Sequence, residues 1–374
     1  MVAGEDPWID LDSDLEGRLR ALHGEIRRWP GLERLDRIAV AVFDSREDVV
    51  RTFAQSNVGP PPLERLTGRL SEYPALQALA RTGRPWVDNA MRGSESREMS
   101  ELGQGLARRG FRSRYAVRVQ RQGALYGFIF FNSRHPGFFT DGVVEALIPY
   151  RRLIDALVVS ELTSLRAMLA AVNTARQVSH YRDEETGAHL DRVSHYSRVI
   201  ALSMASRHGL TDEYVEYVRQ YAPLHDLGKV AIPDSILLKP GRLNAEEMAV
   251  MRTHVTHGVS IVDAMVRDHG LSALPHVDIL RNVVAYHHEA YDGSGYPYGL
   301  SGVAIPLEGR ILAVADVFDA LTSRRPYKEP WTIEAAAALL QEQRGTKFDP
   351  ECVDVFLADL AAVAAIRHRF SDDG

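Results

Sequence analysis

The stretch "YAPLHDLGK" sets His225 and Asp226 directly behind an apolar run and just ahead of Gly228 and Lys229. An imidazole and a carboxylate in that setting are costly to bury unless they are coordinated or hydrogen-bonded. The chain repeats the problem several times. "AYHHEAYDGSGYPYGLSG" puts His287 and His288 side by side after an apolar segment, and "AVADVFDALTSRRPYK" places Asp316 among Val314, Ala315, Val317 and Phe318. "MRTHVTHG" adds His254, and "DEETGAHLDR" sets Glu185 four residues before His189, which is one face of a helix. Each group alone has an ordinary reading: a surface pair at Glu185 and His189, a helix-end pair at His225 and Asp226, packed or capping imidazoles at His254 and the doublet, a capping carboxylate at Asp316. Together they are five histidines, two aspartates and one glutamate, with no thiolate. That donor set suits borderline to hard divalent ions such as Fe or Mn. Eight ligands exceed what one ion takes, so two or three ions are expected. Two ions about 3.5–4 Å apart form a clamp for phosphoester hydrolysis, because they activate a water and neutralise charge on the attacking and leaving oxygens.

The rest of the chain is organised in two parts. Residues 12–29 read as an amphipathic helix with Leu15, Leu19, Leu22 and Ile26 at helical spacing. Residues 36–44 read as a strand, and 114–133 as a strand pair about the turn "RQG", where Gly123 is available for φ > 0. "NVGPPPLERL" and "MRGSESREMSE" read as loops. A helical run follows near 142–178. Residues 1–160 are therefore expected to form an α+β domain around an antiparallel sheet. From 161 onward the pattern is helical: between Val158 and Gly209 there is no proline, and Gly187 is the only internal glycine. An all-α bundle over 161–374 is expected, joined to the first domain by the helix near 142–178.

The element order of the first part resembles a GAF domain, a bacterial sensory module, and that resemblance implies an unknown small-molecule ligand. No cluster of Cys or His marks where it sits; His23 and His135 are expected at the surface or as caps.

The second part carries a more specific resemblance. "RDEETGAH", "HDLGK", "IPDSILLKPG", "HHEAYDGSGYP", "AVADVFDALTSRRPYK" and "GTKFDPE" follow one another over about 175–356. In that order they resemble the HD-GYP family, a subgroup of HD-superfamily metal-dependent phosphohydrolases. The resemblance implies a helical bundle that hydrolyses cyclic di-GMP to linear pGpG and often GMP. It implies metal ligation by Glu185, His189, His225, Asp226, His254, His287, His288 and Asp316, with Asp226 as the bridging and catalytic carboxylate. Some relatives lack the glutamate, and its presence as Glu185 favours a third ion. Lys229 would bond a phosphate oxygen or give a proton to the leaving group. Tyr296 would contact a guanine or the dinucleotide backbone, and Arg325 with Lys328 would hold phosphate. Asp183 and Asp319 would contact substrate or support the ligand histidines. Gly293 and Gly295 are expected to turn the loop through φ values other residues avoid. His257, on the same helix face as His254, is expected to stay outside the ligand set. The rival readings are a non-hydrolytic cyclic di-GMP receptor, a module that docks a diguanylate cyclase through the tyrosine loop, and a hydrolase for a mixed GMP–AMP cyclic dinucleotide.

Composition narrows the partners. A net charge of −6 over 374 residues gives no reason to expect DNA or an anionic membrane. The single cysteine, Cys352, is expected as a packed thiol, and no disulfide within one chain is possible. The acidic start "MVAGEDPWIDLDSDLEG" has no apolar run and does not read as a signal peptide, so a cytoplasmic protein, expected as a homodimer, is the reading.

Overall fold

The computed structural model describes residues 13–59, 66–91, 101–180, 187–268, 276–323 and 329–371. The chain divides into two compact units, 1–166 and 167–374.

The first unit is α+β. Helix α1 (Leu15–Ile26) opens on Asp14, whose Oδ1 accepts the Gly17 N–H at 2.7 Å, and its apolar stripe Leu15, Leu19, Leu22 and Ile26 is buried. Strands β1 (Arg37–Asp44), β2 (Val49–Asn57) and β3 (Thr67–Arg69) follow. Helix α2 (Pro74–Thr82), strand β4 (Trp86–Asp88), helix α3 (Glu101–Arg108), and strands β5 (Ser113–Arg121) and β6 (Ala124–Ser133) complete the α+β part. All pairings are antiparallel, in the order β3-β2-β1-β6-β5-β4. This helix, antiparallel sheet and helical exit is the GAF-like order expected. The β5–β6 hairpin turns through Gln122 and Gly123, both at positive φ (48° and 83°), the pair of left-handed residues that a tight two-residue hairpin turn requires. One sheet face packs Ala39, Ala41, Ala116, Phe128 and Phe130 against Leu76 and Leu79 of α2. His23 is not at the surface as expected. It is 3% exposed, with Nδ1 against Ser56 Oγ and Nε2 against the Leu35 carbonyl, because the buried stripe of α1 carries it inward.

The helical run after the sheet is two helices, α4 (Asp141–Ala146) and α5 (Ile148–His180). Pro149, with no N–H to donate, sits in the first turn of α5, where it is tolerated, and α4 ends just before it.

The second unit is helical in every described element. Its helices are α6 (Gly187–His208), α7 (Asp212–Tyr221), α8 (Asp234–Leu237), α9 (Ala245–Arg252), α10 (His254–Asp268), α11 (Val277–Tyr286) and α12 (Leu307–Thr322), then α13 (Ile333–Glu342), α14 (Pro350–Leu357) and α15 (Leu360–Arg369). Tyr196 of α6, Phe318 of α12 and Phe356 of α14 meet edge to face, with centroids 5.0–5.6 Å apart, and so fix three helices in one core. Cys352 is buried against Met204, as expected of a packed thiol. No described helix is long and apolar enough to cross a membrane.

Candidate metal centre

His225 and Asp226 lie where two short 3₁₀ turns, Ala222–Leu224 and Leu227–Ala231, meet after α7. The second turn presses on the start of α10. A Cβ on Gly228 would lie 1.8 Å from the His254 carbonyl oxygen, so only glycine lets the doublet approach His254 this closely. The α11 helix ends at Tyr286 and delivers His287 and His288; α6 brings His189, and α12 brings Asp316.

These side chains converge as two groups. Ligand atoms of Asp226, His254, His287 and His288 lie within 4.8 Å of one another, and so do those of His189, His225 and Asp316. Asp226 joins the groups. Its Oδ1 faces His254 Nε2 at 3.0 Å and His287 Nε2 at 3.6 Å, while its Oδ2 faces His225 Nε2 at 3.1 Å. Asp316 Oδ1 lies 3.8 Å from His189 Nε2 and 3.9 Å from His225 Nε2. Glu185, Asp183, Arg325 and Lys328 lie outside the described residues.

The second nitrogen of each ring decides what the first can do. Nδ1 of His225 meets the Ala222 carbonyl at 2.9 Å, Nδ1 of His254 the Met251 carbonyl at 2.7 Å, and Nδ1 of His287 the Val284 carbonyl at 3.0 Å. A carbonyl only accepts, so each Nδ1 carries the proton and a neutral ring turns its Nε2 lone pair inward. His189 Nδ1 is held in the same way by Asp319 Oδ2 at 2.7 Å. Burial pushes the His287 and His288 rings toward the neutral form. Burial also works to raise the Asp226 carboxyl, but Lys229 and His225 outweigh it and hold it well below the usual carboxylate range. Nε2 lone pairs turned inward toward the Asp226 carboxylate repel it and one another unless cations lie among them. The donor set therefore fits divalent ions with nitrogen and oxygen ligands.

Around this centre the structure adds residues that sequence reasoning passed over. Arg192, one turn along α6 from His189, donates to Asp319 from Nε at 2.6 Å and from Nη2 at 3.0 Å. Asp319 is fully buried and its carboxylate is taken up by His189 and Arg192, which is the histidine-supporting arrangement of the two expected. Glu289 follows the doublet and accepts the Tyr298 and Leu300 N–H groups at 2.8 and 3.0 Å, pinning the glycine-tyrosine loop. The loop is tied again where Tyr291 and Asp292 donate to the Lys347 and Thr346 carbonyls in the "GTKFDPE" segment. Tyr296 stacks on His288 with centroids 4.7 Å apart, and the Arg252 guanidinium covers it at 4.8 Å. Lys229 Nζ lies 2.8 Å from Asp226 Oδ2. Gly293 has positive φ, as expected, but Gly295 does not. A Cβ on Gly295 would come within 2.2 Å of the Ala290 nitrogen, so close approach demands that glycine. His257 is exposed and lies outside both groups.

The family model of the HD domain matches residues 165–352, which hold all of these side chains. The chain belongs to the HD-domain family. Among curated relatives, the cyclic di-GMP phosphodiesterase response regulator RpfG of Xanthomonas campestris pv. campestris is 49% identical over 191 residues, covering 51% of this chain and 48% of its own. The 3′3′-cGAMP-specific phosphodiesterase 2 of Vibrio cholerae is 44% identical over 191 residues, covering 51% of this chain and 34% of its own. The chain thus spans about half of the first relative's length and a third of the second's. A solved GAF domain/HD domain protein of Geobacter sulfurreducens is 20% identical, with a TM-score of 0.31, covering 40% of this chain and 95% of its own.

Proposed function

We propose that this HD-domain chain hydrolyses cyclic di-GMP to pGpG, GMP or both at a bi- or trinuclear centre of Fe or Mn. In this reading the ligands are Glu185, His189, His225, Asp226, His254, His287, His288 and Asp316. The observation that carries it is Asp226, whose two carboxylate oxygens face different histidines, His254 and His225, at 3.0 and 3.1 Å. A single carboxylate shared in that way is what two adjacent cations need. Relatives named as cyclic di-GMP phosphodiesterases, at up to 49% identity, support the substrate class.

The ions, when bound, supply an activated water and neutralise charge on the phosphodiester oxygens. The chain's own residues do the rest. Lys229 holds its ammonium beside Asp226, where it neutralises a phosphate oxygen or passes a proton to the leaving 3′ oxygen. Tyr296 and Arg252 form a stacked rim above His288 on which a guanine is held, and Arg325 with Lys328 take the second phosphate. Asp319 and Arg192 keep His189 in one tautomer. The N-terminal domain sets the activity through the helix Ile148–His180, in a homodimer, and the tyrosine loop is the surface for a diguanylate cyclase.

A second reading keeps the reaction and changes the substrate. Relatives named as 3′3′-cGAMP-specific, at 44% identity, favour a mixed cyclic dinucleotide. The test is to purify the chain without oxygen, load it with Fe(II) or Mn(II), and offer cyclic di-GMP and 3′3′-cGAMP separately. Loss of cyclic di-GMP with pGpG or GMP appearing supports the first reading, and exclusive turnover of cGAMP supports the second. Tight binding with no product would make the chain a receptor.

A further inference from the structure

Helix α15 (Leu360–Arg369) lies past residue 352, where the match to the HD-domain family ends, yet it is tied to the metal centre. Its N-cap is Asp359, whose Oδ1 accepts the Ala362 N–H at 3.1 Å, and Val363 is buried. At the other end Phe370 leaves the helical conformation (φ −114°, ψ 54°). The carbonyls at a helix C-terminus have no partner within the helix. The Phe370 carbonyl finds one across the bundle, accepting Arg192 Nη1 at 2.7 Å.

The segment grips two ligand-bearing helices. On α6, the Phe370 ring stacks on His195, one turn along from Arg192, with centroids 4.8 Å apart and planes 22° apart. On α12, Arg367 donates from Nη2 to the carbonyl of Thr322 at 2.8 Å, three residues past Asp319. Arg192 stands between them. It is 2% exposed, and a guanidinium so buried needs its donors met. Nε and Nη2 hold Asp319, Nη2 also reaches Ser323, and Nη1 takes Phe370. The bidentate fork fixes the plane of the Asp319 carboxylate, whose Oδ2 holds His189 Nδ1. Phe370, Arg192, Asp319 and His189 thus form one line of hydrogen bonds that ends at a single metal-facing ring. The rings of His225, His254 and His287 are instead oriented by carbonyls three residues upstream in their own turns.

We infer that Phe370 and Arg367 are positioning residues for the metal centre. They clamp α6 to α12 so that Arg192 holds Asp319. Their effect reaches the His189, His225 and Asp316 group and spares the Asp226, His254, His287 and His288 group. The inference rests on the metal-centre reading and adds to it a segment outside the family match.

The test uses the full chain, purified without oxygen, loaded with Mn(II) and dialysed against a chelator. Ions retained per chain are counted for wild type, His189→Ala, Phe370→Tyr and the double variant Arg367→Ala with Phe370→Ala. The double variant should lose ions about tenfold faster than wild type, and settle at the count of His189→Ala, not at zero. Phe370→Tyr keeps the ring and should keep the wild-type count. Adding His189→Ala to the double variant should remove nothing more, because both act on one group. Arg367→Ala alone is read in the same direction if the double variant misfolds. A wild-type rate and count in these variants would overturn the inference, and so would loss of both groups together. A second readout needs no metal. In nitrogen-15 histidine spectra of the metal-free chain, His189 is assigned by its absence in His189→Ala. It should lose its Nδ1–H tautomer preference in the double variant, and an unchanged signal would overturn the inference. If wild type retains no ion, the metal reading fails, and the tautomer signal still decides whether this segment positions His189.

Discussion

Asp319 Oδ2 accepts the Nδ1 proton of His189 at 2.7 Å, and this bond leaves His189 Nε2 facing the centre. Arg192 braces the carboxylate from the other side, and also donates from Nη1 to the Phe370 carbonyl and from Nη2 to Ser323 Oγ, both at 2.7 Å. Burial works to raise the Asp319 carboxyl, but His189 and Arg192 outweigh it and hold it below its usual range. Asp319→Asn puts an amide N–H where one of these donors points. It should weaken metal retention by about 10- to 100-fold. Metal analysis after dialysis against a chelator checks this. The sign of the pH effect follows from the depressed carboxyl: the interaction stabilises the fold above the ordinary carboxylate pKa and is lost as pH falls through the lower folded value. Asp319→Asn should therefore flatten part of the acid limb of a Tm-against-pH curve.

Gly228 tests how the His225–Asp226 turn is seated. Alanine there brings Cβ to 1.8 Å from the His254 carbonyl oxygen and 2.4 Å from the Gly258 nitrogen, and both are backbone atoms that cannot swing aside. Gly228→Ala should cost about 1–3 kcal/mol or more. At about 2–4 °C per kcal/mol for a domain of this size, Tm falls by several degrees, and metal content should fall with it. An unchanged Tm would mean that the turn is free to move.

Tyr296 separates substrate handling from metal binding. It packs on His288 and under Arg252 but has no part in either ligand group. Tyr296→Ala should raise KM by about tenfold, in line with about 1–3 kcal/mol per stacked base, and leave the metal count unchanged. Steady-state kinetics with metal analysis of the same sample is the check. Loss of metal in this variant would contradict the division of roles.

Asp226 is expected to behave differently from any other ligand. Asp226→Ala should strip metal from both groups and abolish turnover, and it leaves Lys229 without its carboxylate partner. Retention of a full metal complement would mean that the two groups do not share this carboxylate.

Much of the centre is legible from local sequence, and what is not legible depends on contacts between distant residues. Imidazoles and carboxylates at His225, Asp226, His287, His288 and Asp316 stand out because they interrupt apolar runs, and the structure brings them together. Arg192 has no such signature. Its partner Asp319 lies 127 residues away, and only helix packing joins them. Glu289 is visible beside the doublet, yet its task depends on a loop that returns 9 and 11 residues later. Gly295 shows the limit of reading glycine as a turn residue, since it is required by a neighbouring backbone. In the first unit the long strands and the hairpin turn follow from pattern, whereas β3 and β4, three residues each, are too short to show alternation.

The most direct test is a metal count coupled to product identification on anaerobically purified chain supplied with cyclic di-GMP. Two or three Fe or Mn ions per chain, with pGpG or GMP accumulating, is the predicted result. A chain that holds its full complement of ions and returns the cyclic dinucleotides intact would contradict the account.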